Sequence, residues 1–587
     1  MLKLLKSLTK RDILLMVISI ILIVVQVWFE LKMPDFMSEI TKLVETEGSQ
    51  MSDILKNGGY MLLCAFGSLL SSVIVGYFSA TVAANLSKNV RKKLFDKVQN
   101  MAVNEVKQFS TSSLITRSTN DITQVQMLIA MGLQLSIKSP ITAIWAITKI
   151  LNKSWEWSTI TGIAVIFMMS VVAVLMSIVI PKFKKLQKLT DKLNSVTREN
   201  LTGIRVVRAF NAELYQENKF EKVNDDLTNT QLFNQKKFAI MQPLMYGTMN
   251  MLTLSVYFVG AYLIGEAAFS DKLSIFGNMI VFSSYAIQVI LSFLMLALIF
   301  MMLPRGQVSA KRINEVLEAD ITIKDGNEKH GGNGQFGTVE FRNVSFKYPD
   351  AEENLLENIS FKANKGDFVA IVGLTGSGKS TLINLIPRFY DVTEGEVLVD
   401  GVDVRNYKQE ELCNKIGYVP QKAVIFDGSV SYNVGYGENG KQNISEQKIK
   451  EAIEVAQAKE FVEKMDCKYD THISQGGTNL SGGQKQRLAI ARAIARNPEL
   501  YIFDDSFSAL DYKTDSILRK ELRAYAKDST MIVVAQRIGT VMNADKIIVL
   551  KEGKAVGIGT HKELLKNCEV YKDIALSQLS KEELENA

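Results

Sequence analysis

Three short stretches of the 587-residue chain carry residue types whose spacing suits chemistry on phosphates, and all lie in its second half. The first is Gly373-Leu-Thr-Gly-Ser-Gly378-Lys379-Ser380-Thr381, between the strand-like run Phe368-Val-Ala-Ile-Val372 and the helix-like run Leu382-Ile-Asn-Leu-Ile386. That strand-to-helix setting is what a phosphate-binding loop needs. Gly373, Gly376 and Gly378 let backbone N–H groups curl around phosphate oxygens, with Thr375, Ser377 and Thr381 completing the loop, and the helix start adds a favourable field. Lys379 then reaches the β- and γ-phosphates, and Ser380 offers its hydroxyl to Mg²⁺. The second stretch, Leu500-Tyr-Ile-Phe-Asp504-Asp505, is an apolar strand ending in two carboxylates. Alone such a pattern says little. Downstream of a phosphate loop, Asp504 becomes a ligand for the magnesium ion or its water, and Asp505 is placed to polarise an attacking water. The third, Leu480-Ser481-Gly482-Gly483-Gln484, opens a helix that runs through Arg487, Leu488, Ala491 and Ile494. Serine and glycines at a helix start make either a plain cap or a second anion site. In the second case, two such domains stacked head to tail grip one nucleotide from both sides.

These stretches need a scaffold. From about Thr338 short apolar strands alternate with amphipathic helices, an α/β pattern. Ahead of it, Gln307–Glu318 reads as a helix leaving a membrane and Gly326–Gly337 as a glycine-rich linker. The overall 47% hydrophobic and 22% charged residues conceal an uneven distribution. Six apolar blocks fill the first 303 residues: Ile13–Met33, Gly58–Ala84, Met127–Leu151, Ser158–Ile180, Phe238–Ile264 and Ser274–Leu303. Each meets the roughly 20 residues needed to cross a bilayer, and a helix satisfies its own backbone there. The first is too long for a cleavable signal peptide and lacks a small-residue cleavage site. Four scattered cysteines (Cys64, Cys413, Cys467, Cys568) exclude a disulfide framework or zinc cluster. The net charge of +6 gathers beside the apolar blocks, so it marks cytoplasmic flanks and not a nucleic-acid surface.

Charge also gives an orientation. Lys3, Lys6, Lys10 and Arg11 precede the first span, Lys88 to Arg117 separate the second from the third, and Lys182, Lys184, Lys185 and Lys188 follow the fourth. The first alternate loop instead carries Asp35, Glu39, Glu45, Glu47 and Asp53 against Lys42 and Lys56, and Trp155 and Trp157 suit an interfacial belt. Both termini are therefore expected in the cytoplasm. The inner connections, about 85–126 and 181–237, are long and helix-prone, suited to carrying the crossing point toward a cytoplasmic partner. Within the spans Gln134, Lys138, Gln242, Asn250 and Gln288 either line a watery pathway or join helices, with Lys138 the costliest to bury. Met241, Met245 and Met249 form one helical stripe, suited either to varied ligands or to ordinary packing.

The order of motifs, namely the phosphate loop, Pro420-Gln421, Leu-Ser-Gly-Gly-Gln, the double aspartate and Ser508-Ala-Leu-Asp511, resembles an ABC transporter ATPase domain. With six spans ahead of it, nearly the whole chain resembles an ABC exporter half-transporter. The resemblance implies an all-α six-helix transmembrane domain with long cytoplasmic helix extensions, followed by an α/β P-loop ATPase domain with a helical subdomain. It implies a transmembrane domain over residues 1–310, a linker over 311–337, the ATP-binding domain over 338–575 and a tail over 576–587. It adds roles for Tyr348, as the aromatic that stacks on adenine, for Gln421, as a magnesium contact that senses the membrane domain, and for Asp511, in the loop linking two nucleotide sites. Segments 114–121 and 203–210 resemble those around the family's coupling helices.

Two positions depart from that pattern. The family's catalytic glutamate is Asp505 here, one methylene shorter, and its γ-phosphate histidine is Gln536, while His330, His472 and His561 lie elsewhere. Losing well-placed acid–base help costs on the order of 100- to 10,000-fold in rate. The expectation is a site that binds ATP and Mg²⁺ but hydrolyses poorly, beside an intact Ser481 segment. That combination resembles the degenerate subunit of heterodimeric bacterial multidrug exporters. It implies a second half-transporter with a competent site, an amphipathic small-molecule substrate, and a place in the cytoplasmic membrane. A specific lipid or peptide cargo, or a nucleotide-gated regulatory role, are the alternatives. Gln475 is a smaller departure, in a stretch where relatives often carry an acid.

Overall fold

The computed structural model describes residues 2–46, 48–151, 155–329, 332, 336–437 and 444–579. Glu47, His330 and 580–587 of the expected tail lie outside the described residues. The chain divides into two compact units, Met1–Gln99 with Phe109–Ala319, and Asn100–Gln108 with Asp320–Ala587.

The first unit is built on six long helices, α1 (Lys10–Glu45), α2 (Met51–Gln99), α3 (Ile122–Leu151), α4 (Trp155–Thr202), α5 (Glu213–Glu266) and α6 (Phe269–Leu317). Among the described residues, six helices are long and apolar enough to cross a membrane. At 49, 48 and 54 residues, α2, α4 and α5 span about 70–80 Å, well over the roughly 30 Å of a hydrocarbon core. They therefore continue past the apolar blocks, and the short helices Val103–Phe109 and Ile204–Ala209 lie in the two long connections. Thr9 starts α1 through a capping box with Asp12. The same buried carboxylate accepts from Asn85 Nδ2 at 2.8 Å, so the cap also ties α1 to α2.

Apolar side chains lie on both faces, as a bilayer solvent allows. Leu62, Phe66, Leu69, Leu70 and Val73 of α2 are exposed, while Ile23, Val27, Val75, Ala146, Val256, Phe282, Tyr285 and Val289 form the core. Met245 is buried in α5 and Met249 packs against that core, which is the packing use of the methionine stripe. Gln242 and Asn250 are exposed. Below the spans, Asp121 Oδ1 accepts from Ser309 Oγ at 2.7 Å, and Arg117 pairs with Glu315 at 3.1 Å.

Among its described residues the second unit has twelve strands: β1 (Val339–Phe346), β2 (Leu356–Ala363), β3 (Phe368–Gly373), β4 (Glu394–Val399), β5 (Val402–Asp403), β6 (Ile416–Val419), β7 (Gly428–Ser429), β8 (His472–Ile473), β9 (Leu500–Asp504), β10 (Thr530–Val534), β11 (Lys546–Lys551) and β12 (Lys554–Gly559). An antiparallel sheet runs β2-β1-β4-β5, and a larger one runs β12-β11-β3-β10-β9-β6. In the larger sheet β11, β3, β10, β9 and β6 are parallel neighbours. Burial on both faces explains their continuous apolar runs, such as Phe368–Val372 and Thr530–Val534. Parallel strands also deliver their carboxyl ends to one edge, where loops from non-adjacent sequence meet.

Candidate nucleotide site

Four of those strand ends build the site in spatial order. β3 runs into the glycine-rich loop, β10 leads to Gln536, β9 ends at Asp504, and β6 leads to Pro420 and Gln421. The register aligns Val534 with both Ile371 and Asp504, and Val419 with Phe503. Residues more than a hundred positions apart in sequence therefore share one edge.

Two glycines show why the loop needs its composition. Gly373 has φ +157°, and a Cβ there would lie 2.3 Å from the Leu550 carbonyl oxygen. Gly378 has φ +93° and would meet Leu356 Cδ2 at 2.6 Å. Lys379 opens α7 (Lys379–Asn384) and lays its ammonium on the Gly373 and Leu374 carbonyls at 2.9 and 2.8 Å. Burial pulls its pKa down, while Asp505 and Asp504 oppose that. Ser377 Oγ is buried without a hydrogen-bond partner among the described residues. A buried hydroxyl left over in a loop of curled N–H groups fits a ligand rich in acceptor oxygens. Thr381 Oγ1 lies 3.0 Å from the Tyr348 hydroxyl, and Tyr348 packs edge-on against Phe346 and Tyr390.

Beside the loop, Ser380 Oγ donates to Asp504 Oδ1 at 2.7 Å. Burial raises the Asp504 carboxyl, with the neighbouring Asp505 adding to the rise and the Ser380 bond opposing it. Asp505 is also pushed up by burial. Its backbone adopts φ +47°, a left-handed conformation in which aspartate is among the better tolerated side chains. Its Oδ2 accepts from Gln536 Nε2 at 2.7 Å and from Gln421 Nε2 at 3.3 Å. The two amides thus converge on one oxygen of the carboxylate.

The Ser481 segment is organised separately. Ser481 caps α8 (Gly482–Ala495), its Oγ accepting from Gln484 N at 3.3 Å while Gln484 Oε1 accepts from Ser481 N at 2.9 Å. A Cβ on Gly483 would lie 3.3 Å from the Ala509 carbonyl, which sets this helix start beside the Ser508–Asp511 loop. Asp511 in turn caps α9 (Tyr512–Tyr525), and the Thr514 N–H holds its carboxyl below the usual range. Further along α8, Gln486 Nε2 donates to the Pro420 carbonyl at 3.3 Å, linking that helix to the Gln421 loop. No hydrogen bond among the described residues joins Ser481–Gln484 to the Gly373–Thr381 loop. The chain therefore brings Lys379, Ser380, Gln421, Asp504, Asp505 and Gln536 together and leaves Ser481, Gly482, Gly483, Gln484 and Asp511 as a second surface.

Some contributors carry no local sequence signal. After α10 (Glu569–Leu576), Gln578 Oε1 accepts from Ile538 N and its Nε2 donates to the Gln536 carbonyl, both at 2.8 Å, clasping the loop that carries Gln536. Within the same unit, Lys107 donates to the Tyr390 hydroxyl at 3.0 Å, which raises its pKa, and Glu105 accepts from Thr322 N and Oγ1 at 2.6 and 2.7 Å.

Comparison with known proteins agrees with this architecture. The family described as the ABC transporter transmembrane region matches residues 16–316, and that described as ABC transporter matches residues 356–508. An uncharacterized ABC transporter ATP-binding protein of Mycobacterium tuberculosis is 38% identical over 521 residues, covering 89% of this chain and 87% of its own. An ATP-dependent lipid A-core flippase of Pseudomonas syringae is 32% identical over 509 residues, covering 86% and 82%. The structure of a bacterial Atm1-family ABC exporter with ATP bound superposes with a TM-score of 0.82, at 23% identity over 97% of this chain and all of the other, a likeness of fold. With both modules matched in one polypeptide, the chain belongs to the ABC transporter family as an exporter half-transporter, a six-helix membrane region fused to an ABC ATPase domain.

Proposed function

We propose that this chain is one half of a heterodimeric exporter that moves drugs or other amphipathic compounds outward across the cytoplasmic membrane, both termini lying in the cytoplasm. Its own loop binds ATP firmly and cleaves it poorly, and its Ser481 segment completes the site of a second, better-equipped half-transporter. The observation that carries this reading is the environment of Asp505. A catalytic carboxylate must be free to accept a proton from water, yet here the shorter acid has two amide donors on one oxygen. Gln536 also stays neutral at every relevant pH.

Lys379 pairs the phosphate charge, the Gly373–Thr381 backbone cradles it, and Tyr348 stacks on the adenine. Ser380 and Asp504 are the hard oxygen donors that Mg²⁺ takes together with phosphate oxygens and water. A Mg²⁺ ion held there would supply positive charge to offset that of the β- and γ-phosphates. Closure of the paired ATPase domains around ATP, with Asp511 between the sites, turns the membrane cavity outward, and hydrolysis at the partner's site resets it. A specific lipid cargo is the second reading, favoured by the 32% identity to lipid A-core flippases.

Lys379→Ala tests the binding half of the proposal. Without the ammonium, affinity of the full chain for a fluorescent ATP analogue falls at least about 100-fold, the loss of a buried charge pairing. Asp505→Ala leaves that affinity within about threefold, because Asp505 does not hold the phosphates. Unchanged affinity in Lys379→Ala contradicts the assignment of the loop.

A further inference from the structure

Lys138 is not alone in the spans. Its ammonium donates to Glu30 Oε1 at 2.8 Å, and the same oxygen accepts from Gln26 Nε2 at 2.9 Å and Ser68 Oγ at 3.1 Å. The cluster joins α1, α2 and α3. Glu30 lies 17 residues into the apolar block that starts at Ile13, and Lys138 lies 11 into the block that starts at Met127, so they sit about 26 and about 17 Å from the starts of their apolar runs at 1.5 Å per residue. Both depths lie well inside the apolar blocks, away from the basic flanks.

Stability does not explain such a pair, since apolar residues of similar volume hold helices together as well or better. Intramembrane charges avoid lipid and face polar space, yet the two side chains keep 28% and 22% of their surface accessible. Hydrogen-bonding capacity is also left over. Among the described residues Lys138 has two N–H donors and Glu30 one oxygen without a hydrogen-bond partner, and Gln26, 2% exposed, has an Oε1 with none. A neighbouring pair makes the contrast. Asp35 accepts from Tyr285 at 2.6 Å on one oxygen and from Lys149 at 2.8 Å on the other, so that pair is closed.

We propose that Glu30, Lys138 and Gln26 form a head-group site for a zwitterionic amphiphile bearing a primary ammonium and a phosphate. The ammonium takes the free Glu30 oxygen with Gln26 Oε1 beside it, and the phosphate takes the remaining Lys138 donors. The resident pair is net neutral, so a ligand of net charge would leave one charge uncompensated where the dielectric is low. This rests on the amphipathic-substrate reading and names its head group.

The test is equilibrium binding of radiolabelled lysophosphatidylethanolamine to the full-length chain in maltoside, without nucleotide. Saturable binding is expected, weakened at least about tenfold by Glu30→Gln and by Lys138→Gln. Preference then shifts, Glu30→Gln toward the anionic lysophosphatidate and Lys138→Gln toward cationic sphingosine. The exchange Glu30→Lys with Lys138→Glu recovers part of the binding, which misfolding would not allow. Soluble phosphoethanolamine binds at least about tenfold more weakly if the apolar tail contributes. No saturable binding to the native chain, equal affinity in all variants, or equal affinity for soluble phosphoethanolamine overturns the proposal. Because nucleotide is absent, failure here leaves the asymmetric ATPase reading intact, and failure of that reading leaves this one intact.

Discussion

Asp505→Glu combined with Gln536→His accelerates cleavage of the ATP held by this chain at least about 100-fold. Glutamate carries its carboxylate about 1.5 Å farther from the backbone, toward the water that Asp505 falls short of. Histidine in place of Gln536 removes the amide now bonded to Asp505 Oδ2 at 2.7 Å and supplies a group that titrates near neutrality. The scaffold is otherwise in place, with Ser380 on Asp504 and Lys379 across the loop. The measurement is loss of γ-label from nucleotide photocrosslinked to this chain in the transporter purified with its partner. Native chain retains the label through many turnovers, and the double variant loses it. Equal retention in both would place the defect elsewhere.

Ser481→Arg has the opposite signature. The serine caps α8 and keeps its hydroxyl proton for an anion, in an exposed position with no Cβ contact at Gly482. An arginine there loses the cap and fills the space a second triphosphate would occupy. ATPase activity of the assembled transporter falls at least about 100-fold, as when a transition-state donor is removed. Photolabelling of this chain's own loop stays within about twofold, because no hydrogen bond among the described residues connects the two surfaces and the cap alone costs about 1 kcal/mol. Loss of labelling here with normal turnover would reverse the assignment of the two surfaces.

The phosphate loop was legible because its chemistry is local: nine consecutive residues, a strand before and a helix after. The spans were equally plain, since a bilayer demands unbroken apolar length. Glu30 was not, because it sits within an apolar block and only the packing of α1 against α3 reveals that Lys138 answers it. Lys107 and Tyr390 are 283 positions apart, and Gln578 meets Gln536 across 42. Neither contact follows from spacing. The methionine stripe had two readings in sequence, and burial of Met245 favours packing. The Asp505 substitution was visible, but the convergence of Gln421 and Gln536 on its one oxygen needed strand order β3-β10-β9-β6.

Steady-state ATPase of this polypeptide purified alone, in lipid and with saturating MgATP, bears most directly on the proposed asymmetry. Phosphate release at least about 100-fold slower than from the transporter purified with its partner, alongside stoichiometric nucleotide binding, is the predicted result. Rapid turnover by the lone chain would contradict it.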